Sequence, residues 1–254
     1  MSIDKIQKIA ETFDPITLSE MDTVQLMNRV DTKFVFTLEK LVEILAQLKS
    51  SYFLLNVEGV LLSDYESLYF DGDDFKFYFD HHNKKVSRYK VRYRKYVHSN
   101  LSFLEIKHKN KGRTDKSRIR VDDIPSEMSD NDFDFVKTTG IEGEKLVPSL
   151  LNNFSRLTFV NKAMNERLTI DLNLTFKWKD KVEKVDDIVI AELKQGKAMR
   201  NSPFYQLMKK NGIRPLKISK YTVGVIMLYG QKNIKYNRFK KKLLKLQKLQ
   251  NETS

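Results

Sequence analysis

Residues 88–96 read Arg-Tyr-Lys-Val-Arg-Tyr-Arg-Lys-Tyr, and the fold is decided there. Successive side chains on a strand point to opposite faces, so Lys90, Arg92 and Arg94 share one face while Val91 and Tyr93 share the other. The pattern returns at Glu105, Lys107 and Lys109, opposed by Leu104 and Ile106, and again at Lys116, Arg118 and Arg120, opposed by Ile119 and Val121. Upstream, residues 29–36 alternate less regularly around Asp31 and Lys33. Downstream, Arg156 and Thr158 share a face. Arg167, Thr169, Asp171 and Asn173 oppose Leu168, Ile170 and Leu172, and Glu192 and Lys194 oppose Val189, Ala191 and Leu193.

Alternation of this kind fits two arrangements. One is an ordinary antiparallel sheet with its polar face in water. The other is a closed antiparallel barrel whose basic face points inward and whose apolar outer faces pack on helices. The charge type favours the second, because a solvated face mixes Lys, Glu, Thr and Ser, whereas these strands carry Arg and Lys with few, isolated carboxylates. Directly opposed like charges destabilise a ladder, so such a face is stable only if a polyanion offsets it. Phosphate suits it, meeting Arg in bidentate pairs and Lys as a point charge. A carboxylate in such a site makes sense as a ligand for a divalent cation that bridges phosphate oxygens. Glu192 is the leading ligand. Glu105 and Asp171 share the inner face and could bind metal, orient a Lys or offset excess positive charge.

The rest of the chain supplies helices and turns. Residues 3–10 and 21–27 read as short helical segments around a break at Asp14-Pro15. Thr37 is a good N-cap for a helix whose Leu41, Ile44, Leu45 and Leu48 form one apolar stripe. Two β segments occupy 52–70 around a turn at Glu58-Gly59, and Asp71 to Asp74 cap a short helix bearing Phe75, Tyr78 and Phe79. An acidic helical insert falls near 129–136, a helix led by Ser202-Pro203 spans 204–211, and a last body helix starts at a Ser219 cap.

Composition narrows the function. The chain has 254 residues, 41% hydrophobic and 31% charged, with nine Gly and five Pro, which predicts one folded domain. The absence of Cys excludes disulfides, thiolate catalysis and Cys-ligated zinc, and the four His lack the spacing that would place two on one helix face. No apolar run approaches the ~18–20 residues of a membrane span and no leader pattern opens the chain, so a soluble, cytoplasmic protein is predicted. The net charge is +13, of which +7 lies from Gln231 onward. Residues 1–230 are therefore predicted to form the barrel domain and 231–254 a basic helical tail. Leu243, Leu244, Leu246 and Leu249 lie among its lysines, a pattern suited to peripheral contact with an anionic membrane or to steering polyanions, or to a solvated end.

The segments Arg29-Val-Asp-Thr-Lys33, Arg88 to Tyr96, Leu104-Glu-Ile-Lys107, Ile190-Ala-Glu192-Leu-Lys194 and Lys217-Ile-Ser-Lys220-Tyr, in this order and spacing, resemble the VTC domain of polyphosphate polymerases. The resemblance implies an α+β triphosphate tunnel metalloenzyme fold, a closed antiparallel barrel tunnel with flanking helices. It implies transfer of the terminal phosphate of ATP to a growing polyphosphate chain with release of ADP, dependent on Mn2+ or Mg2+. By motif position the phosphate-binding set is Lys33, Arg92, Arg94, Lys107, Lys116, Arg156, Arg167, Lys217 and Lys220, with Arg118 and Lys194 as neighbours and Glu192 on the metal. The first strand departs from the Glu-x-Glu-x-Lys of related hydrolases, since Arg29 replaces a carboxylate. That favours holding a long anionic chain over two-metal hydrolysis.

The partners implied are ATP and inorganic polyphosphate, triphosphate or pyrophosphate. A triphosphatase using water in the same tunnel and a non-enzymatic polyanion-binding module are the alternatives. Nucleic acid fits less well, because the cations lie on strands interleaved with carboxylates and no nucleic-acid motif accompanies them.

Overall fold

A computed structural model describes residues 3–24 and 29–251. The strands are β1 (Pro15–Ile16), β2 (Val30–Thr37), β3 (Tyr52–Leu55), β4 (Ser63–Gly72), β5 (Arg88–Tyr96), β6 (Leu101–Asn110), β7 (Arg113–Val121), β8 (Leu146–Asn161), β9 (Glu166–Trp178), β10 (Lys181–Val185) and β11 (Ile188–Gln195). The helices are α1 (Ile3–Ala10), α2 (Leu18–Asp22), α3 (Leu38–Leu48), α4 (Lys76–His82), α5 (Asp130–Thr138), α6 (Pro203–Lys210), α7 (Lys220–Tyr229) and α8 (Lys240–Asn251). Of the helical segment read at 21–27, residues 25–28 lie outside the described residues, and α2 ends at Asp22.

Local chemistry sets several boundaries. Thr37 accepts from the Lys40 amide and starts α3, Ser129 accepts from Asp132 and starts α5, and Ser202 accepts from Tyr205 with Pro203 in the first turn of α6. Asp71 does more than cap. It is buried, accepts from the amides of Gly72, Phe77 and Tyr78, and takes the Tyr221 hydroxyl, which ties β4, α4 and α7 together. Desolvation raises its pKa to about 6 despite these donors.

The strands form one antiparallel sheet in the order β2-β11-β9-β8-β4-β5-β6-β7, extended by β3 on β8 and β10 on β9, with β1 the parallel exception on β3. Its apolar outer face is covered twice. Phe34, Phe36, Leu157, Phe159, Leu168, Ile170 and Leu193 pack on α1, α3 and α6, and Val91, Tyr93, Leu104 and Ile106 pack with Val136 of α5.

The predicted closed barrel is corrected by this order: β2 and β7 are sheet edges, and among the described residues no ladder joins them. Charge supplies a reason. Lys116 of β7 and Arg29, just before β2, already repel one another across the gap, and opposed like charges weaken a ladder. Residues 213–219 cover the free edge of β2 instead: the Leu216 amide donates to the Lys33 carbonyl at 2.8 Å. An edge masked by loop backbone offers no template for a further strand.

The inner face is not polar throughout. At one end Val35, Leu150, Phe154, Leu174, Phe176, Ile188 and Ile190 pack with α7. The C-terminal α8 docks on the same cluster through buried Leu243 and Leu246. Gly224 permits the close approach of α7, because a Cβ there would stand 2.6 Å from the Phe176 ring. No helix among the described residues is long and apolar enough to cross a membrane.

Candidate functional site

The apolar plug leaves the other part of the inner face to charged side chains, and register decides which of them meet. Arg92 stands opposite Glu105 across the β5–β6 ladder and grips one carboxylate oxygen through Nε at 2.8 Å and a terminal nitrogen at 2.6 Å. It also donates to the Tyr69 hydroxyl at 3.2 Å. Arg156 faces Asp171 across β8–β9 and binds both its oxygens, at 2.5 and 2.8 Å, while Lys220 from the start of α7 bonds the second oxygen. Arg94 is buried between these groups, its Nε on Ser67 Oγ at 3.1 Å.

Aromatic rings form the floor. Tyr65 and Phe154 stack at 5.1 Å, and the guanidinium of Arg156 lies 5.0 Å from the Tyr65 centroid. The Lys220 ammonium sits 3.3 Å above the Phe154 ring, and Arg94 lies 5.6 Å from Tyr65. Rings that face cations compensate part of the lost hydration without adding negative charge.

The second half of the site lies toward the β2 edge. Glu192 is paired in register with Lys33 on one side and Thr169 on the other. Its oxygens stand 3.7 Å from Lys33 Nζ and 3.8 Å from Lys194 Nζ, and no closer donor reaches it among the described residues. Burial works against its charge, but Lys33, Lys194, Arg156 and Lys107 together hold the carboxyl well below the usual range. The Lys33 ammonium reaches the Ile218 carbonyl at 3.3 Å, and Lys90 from β5 donates to Ser219 Oγ at 2.6 Å. Residues 218–219 thus bridge β2 and β5 across the open side of the sheet. Ser219 is the N-cap position of α7 as predicted, yet its hydroxyl serves Lys90 and makes no capping bond.

Cations in this half lack full compensation. Desolvation first, then Lys116, lowers the Lys107 pKa to about 8, and desolvation lowers Lys194 to about 8 in spite of Glu192. Desolvation, reinforced by Lys33 and Lys107, also lowers Lys90 well below the ordinary lysine value. The pairing Lys90↔Lys107↔Lys116 places three like charges side by side across three strands. Such a row is stabilised by an anion and by little else.

The predicted residues therefore sort by position. Lys33, Arg92, Arg94, Lys107, Arg156, Lys194 and Lys220 converge on the inner face with Glu105, Asp171 and Glu192. Lys116 and Arg118 line the exposed β7 edge, Arg118 over the Phe103 ring at 4.8 Å. Arg167 is turned aside: it donates to the carbonyls of Met21 at 2.6 Å and Val24 at 2.8 Å, at the end of α2. Lys217 is exposed at the rim, within the segment 213–219 that covers the β2 edge. Lys90, Tyr65 and Tyr69 complete the lining without having been singled out as site residues. Lys90 was legible in the charged triplet of β5, whereas the two tyrosines read as ordinary strand aromatics.

Could these carboxylates hold a metal? Asp171 is occupied by Arg156 and Lys220, and Glu105 by Arg92. No cluster of three acidic, His or Cys side chains suited to a cation occurs among the described residues. Glu192 differs, because it lacks a tight partner and adjoins Thr169, whose buried Oγ1 has no hydrogen-bond partner. That donor set fits a divalent cation that draws most of its ligands from phosphate oxygens and water. It does not fit an all-protein cage.

Fold and lining together define an α+β protein whose large antiparallel sheet curls about a buried, net-cationic cleft. Residues 28–229 match the VTC domain, and the chain belongs to that family. Among curated proteins none matches the sequence. Solved structures with similar architecture include HpAC1 from Hippeastrum, an adenylyl cyclase candidate described as having a dominant triphosphatase activity, at 13% identity and TM-score 0.48, covering 77% of this chain and 94% of that one. An adenylate cyclase candidate from Vibrio parahaemolyticus aligns at 10% identity and TM-score 0.47, covering 78% and 99%. A conserved protein from Pyrococcus furiosus aligns at 14% identity and TM-score 0.43, covering 76% and 99%.

Proposed function

We propose that the protein is a metal-dependent polyphosphate polymerase, taking ATP and a phosphate chain into the cleft. The observation that carries this reading is the set of under-compensated cations on the inner face, Lys90, Lys107 and Lys116 side by side across three strands and Lys33 and Lys194 flanking Glu192, in a chain of the VTC family. In the reaction an oxygen at the chain end forms a bond to the γ-phosphorus, the bond from that phosphorus to the β–γ bridging oxygen breaks, and ADP leaves with the bond electrons. The polymer is one phosphate longer.

Such a transfer needs groups held in line and charge neutralised on the equatorial oxygens, more than it needs a protein nucleophile. Arg92, Arg94, Arg156 and Lys220 have those positions fixed in advance by Glu105, Asp171, Ser67 and the aromatic floor. Lys33, Lys107 and Lys194 surround Glu192 and would neutralise the entering phosphates. A divalent cation, Mn2+ or Mg2+, held by Glu192 would supply Lewis-acid charge to the phosphate oxygens. Lys116, Arg118 and Lys217 at the rim would guide the anion inward, whereas the Arg167 contacts to α2 give it an anchoring role at the sheet end.

The test is incubation of the purified protein with ATP and Mn2+, resolving long phosphate chains on gels and assaying ADP. Polymer with matching ADP supports the polymerase. Orthophosphate without polymer overturns it in favour of a triphosphatase, and tight triphosphate binding without turnover in favour of a binding module. Glu192→Gln is expected to abolish metal-dependent turnover while the fold persists; full activity in that variant would remove the metal role.

A further inference from the structure

The charged rows of the inner face do not end at Lys90 and Lys107. Two residues farther along the same strands, about 7 Å, Arg88 of β5 is paired in register with Lys109 of β6, so a second pair of like charges extends the first. The segment that follows α7 docks on α4 and brings a further cation to them. Asn237 Oδ1 lies 2.8 Å from His82 Nε2, and Arg238 donates to the His82 carbonyl at 3.3 Å. Buried Phe239 packs edge-on against the rings of His81 at 5.6 Å and His82 at 5.5 Å. Leu243 and Leu246 of α8 then bury in the apolar cluster with Val35, Ile188 and Ile190, which leaves the Lys242 ammonium 5.2 Å from the Phe239 centroid.

Phe239 thus gathers His81 and Lys242 against one ring, and the charges that act on both are cations. Desolvation first, then Lys90, Arg88, Lys242 and Lys109, lower the His81 pKa to about 2, and its buried Nδ1 has no hydrogen-bond partner. Desolvation, then Lys217, Lys84 and Arg88, lowers that of Lys242. Asp80, the one acid of α4, is taken by Lys85 at 2.7 Å, and among the described residues no ion pair engages Arg88, Lys109 or Lys242. In the cleft Arg92 has Glu105 and Arg156 has Asp171; here the same kind of charge stands without an acid. Cations gathered in this way are stabilised by a bound polyanion.

We infer that Arg88, Lys109 and Lys242, with Lys217 at the rim, form a second phosphate station that holds the part of a polyphosphate chain lying beyond the cleft, so that long chains bind more tightly than short ones. The inference rests on the cleft binding phosphate chains. Continuity of the β5 and β6 rows favours one chain spanning both places over a separate small anion. A tripolyphosphate seated among Lys33, Arg92 and Arg156 leaves the station empty. Residues 237–251 follow the stretch 28–229 that matches the VTC domain, so Lys242 and the ring that positions it are supplied by this chain's own C-terminal segment.

The experiment is equilibrium binding of tripolyphosphate, a size-fractionated long-chain polyphosphate and a single-stranded oligodeoxynucleotide to the full chain, without ATP and in chelator. It compares the wild type with the Lys109→Gln/Lys242→Gln double variant. Loss of two phosphate contacts is expected to weaken the long chain about tenfold and to reduce its slope of log affinity against log salt by about 1.4. Tripolyphosphate should stay within twofold, which also shows that the variant is folded, and in excess it should displace the long chain from the wild type. The inference is overturned if the long chain binds both proteins alike, if tripolyphosphate weakens with it, or if the wild type binds the long chain no more tightly than tripolyphosphate. An oligonucleotide weakened as much as the long chain would replace it by a general cationic surface, and a long chain retained at full affinity under excess tripolyphosphate would replace it by a separate anion site. Failure of tripolyphosphate to bind the wild type would instead strike at the phosphate-cleft reading, and long-chain binding that still falls in the double variant would leave the station standing.

Discussion

Asp171 holds together the most heavily charged part of the cleft, and replacing it by Asn measures what that pairing is worth. The carboxylate is 4% exposed and accepts from Arg156 at 2.5 and 2.8 Å and from Lys220, whose side chains are 13% and 12% exposed. Burial opposes its charge, yet Arg156 and Lys220 hold its pKa well below the usual carboxylate range. An amide in its place would keep a similar shape but leave two buried cations facing one another, with Arg94 adjacent. Removing one partner of a buried ion pair costs about 3–5 kcal/mol. At roughly 2–4 °C per kcal/mol for a chain of this size, Asp171→Asn should melt about 6–20 °C below the wild type. Tripolyphosphate at 100 times the wild-type Kd should return about 2.7 kcal/mol to the wild type, and at that same concentration more to the variant, because Arg156 and Lys220 no longer divide themselves between Asp171 and ligand. Thermal melts of both proteins with and without tripolyphosphate read both quantities. A drop below about 2 °C would refute the buried-pair reasoning, and equal ligand-induced shifts would refute the shared use of these cations.

Three further outcomes follow from the geometry. The Glu105 pKa is lowered from 4.5 to about 2, because Arg92 and Arg94 outweigh burial, so its stabilisation is present above pH 4.5 and is lost as pH falls toward 2. Glu105→Gln should flatten that acid limb by about one proton, as seen in denaturant midpoints between pH 5 and 2. Lys107 and Lys194, lowered by desolvation from 10.5 to about 8, make the folded protein bind fewer protons than the unfolded chain between those values, so they favour folding increasingly as pH rises through that window. A bound polyanion reverses the shift; calorimetry at pH 8–9 in buffers of different ionisation enthalpy should register proton uptake with tripolyphosphate, and its absence would place these lysines outside the binding site. Gly224→Ala should destabilise by about 1–3 kcal/mol through overpacking on Phe176 and should weaken tripolyphosphate binding as α7 shifts Lys220; an unchanged melt and affinity would show that α7 does not position the cleft.

The charged face of the cleft could be read before any coordinates, because a strand's side-chain period is two and the residues at Lys90, Arg92, Arg94, Glu105, Lys107, Glu192 and Lys194 obey it. Helix starts at Thr37 and at Ser202-Pro203 were legible for a local reason, a hydroxyl that satisfies an early amide, whereas the cap read at Ser219 makes no such bond. Alternation assigns a residue to a face without fixing how far the sheet curls, so the barrel drawn from it was closed where the sheet is open. Only the tertiary structure shows residues 213–219 lying on β2, Arg167 turned to the carbonyls at the end of α2, and the apolar plug of α7 under a face that alternation marked as polar.

Sequence by itself determined the cation-rich inner face and the elements that carry it, since both depend on neighbours along the chain. Which carboxylate is paired and which stands open depended on the fold. Asp171, Glu105 and Glu192 are equivalent as strand residues, and they differ because strand register sets Arg156 and Arg92 within bonding distance of the first two while Lys33 and Lys194 stop 3.7 and 3.8 Å from the third. Distances across strands far apart in the chain are set by register, curvature and the loop that covers the β2 edge, and no local periodicity encodes them.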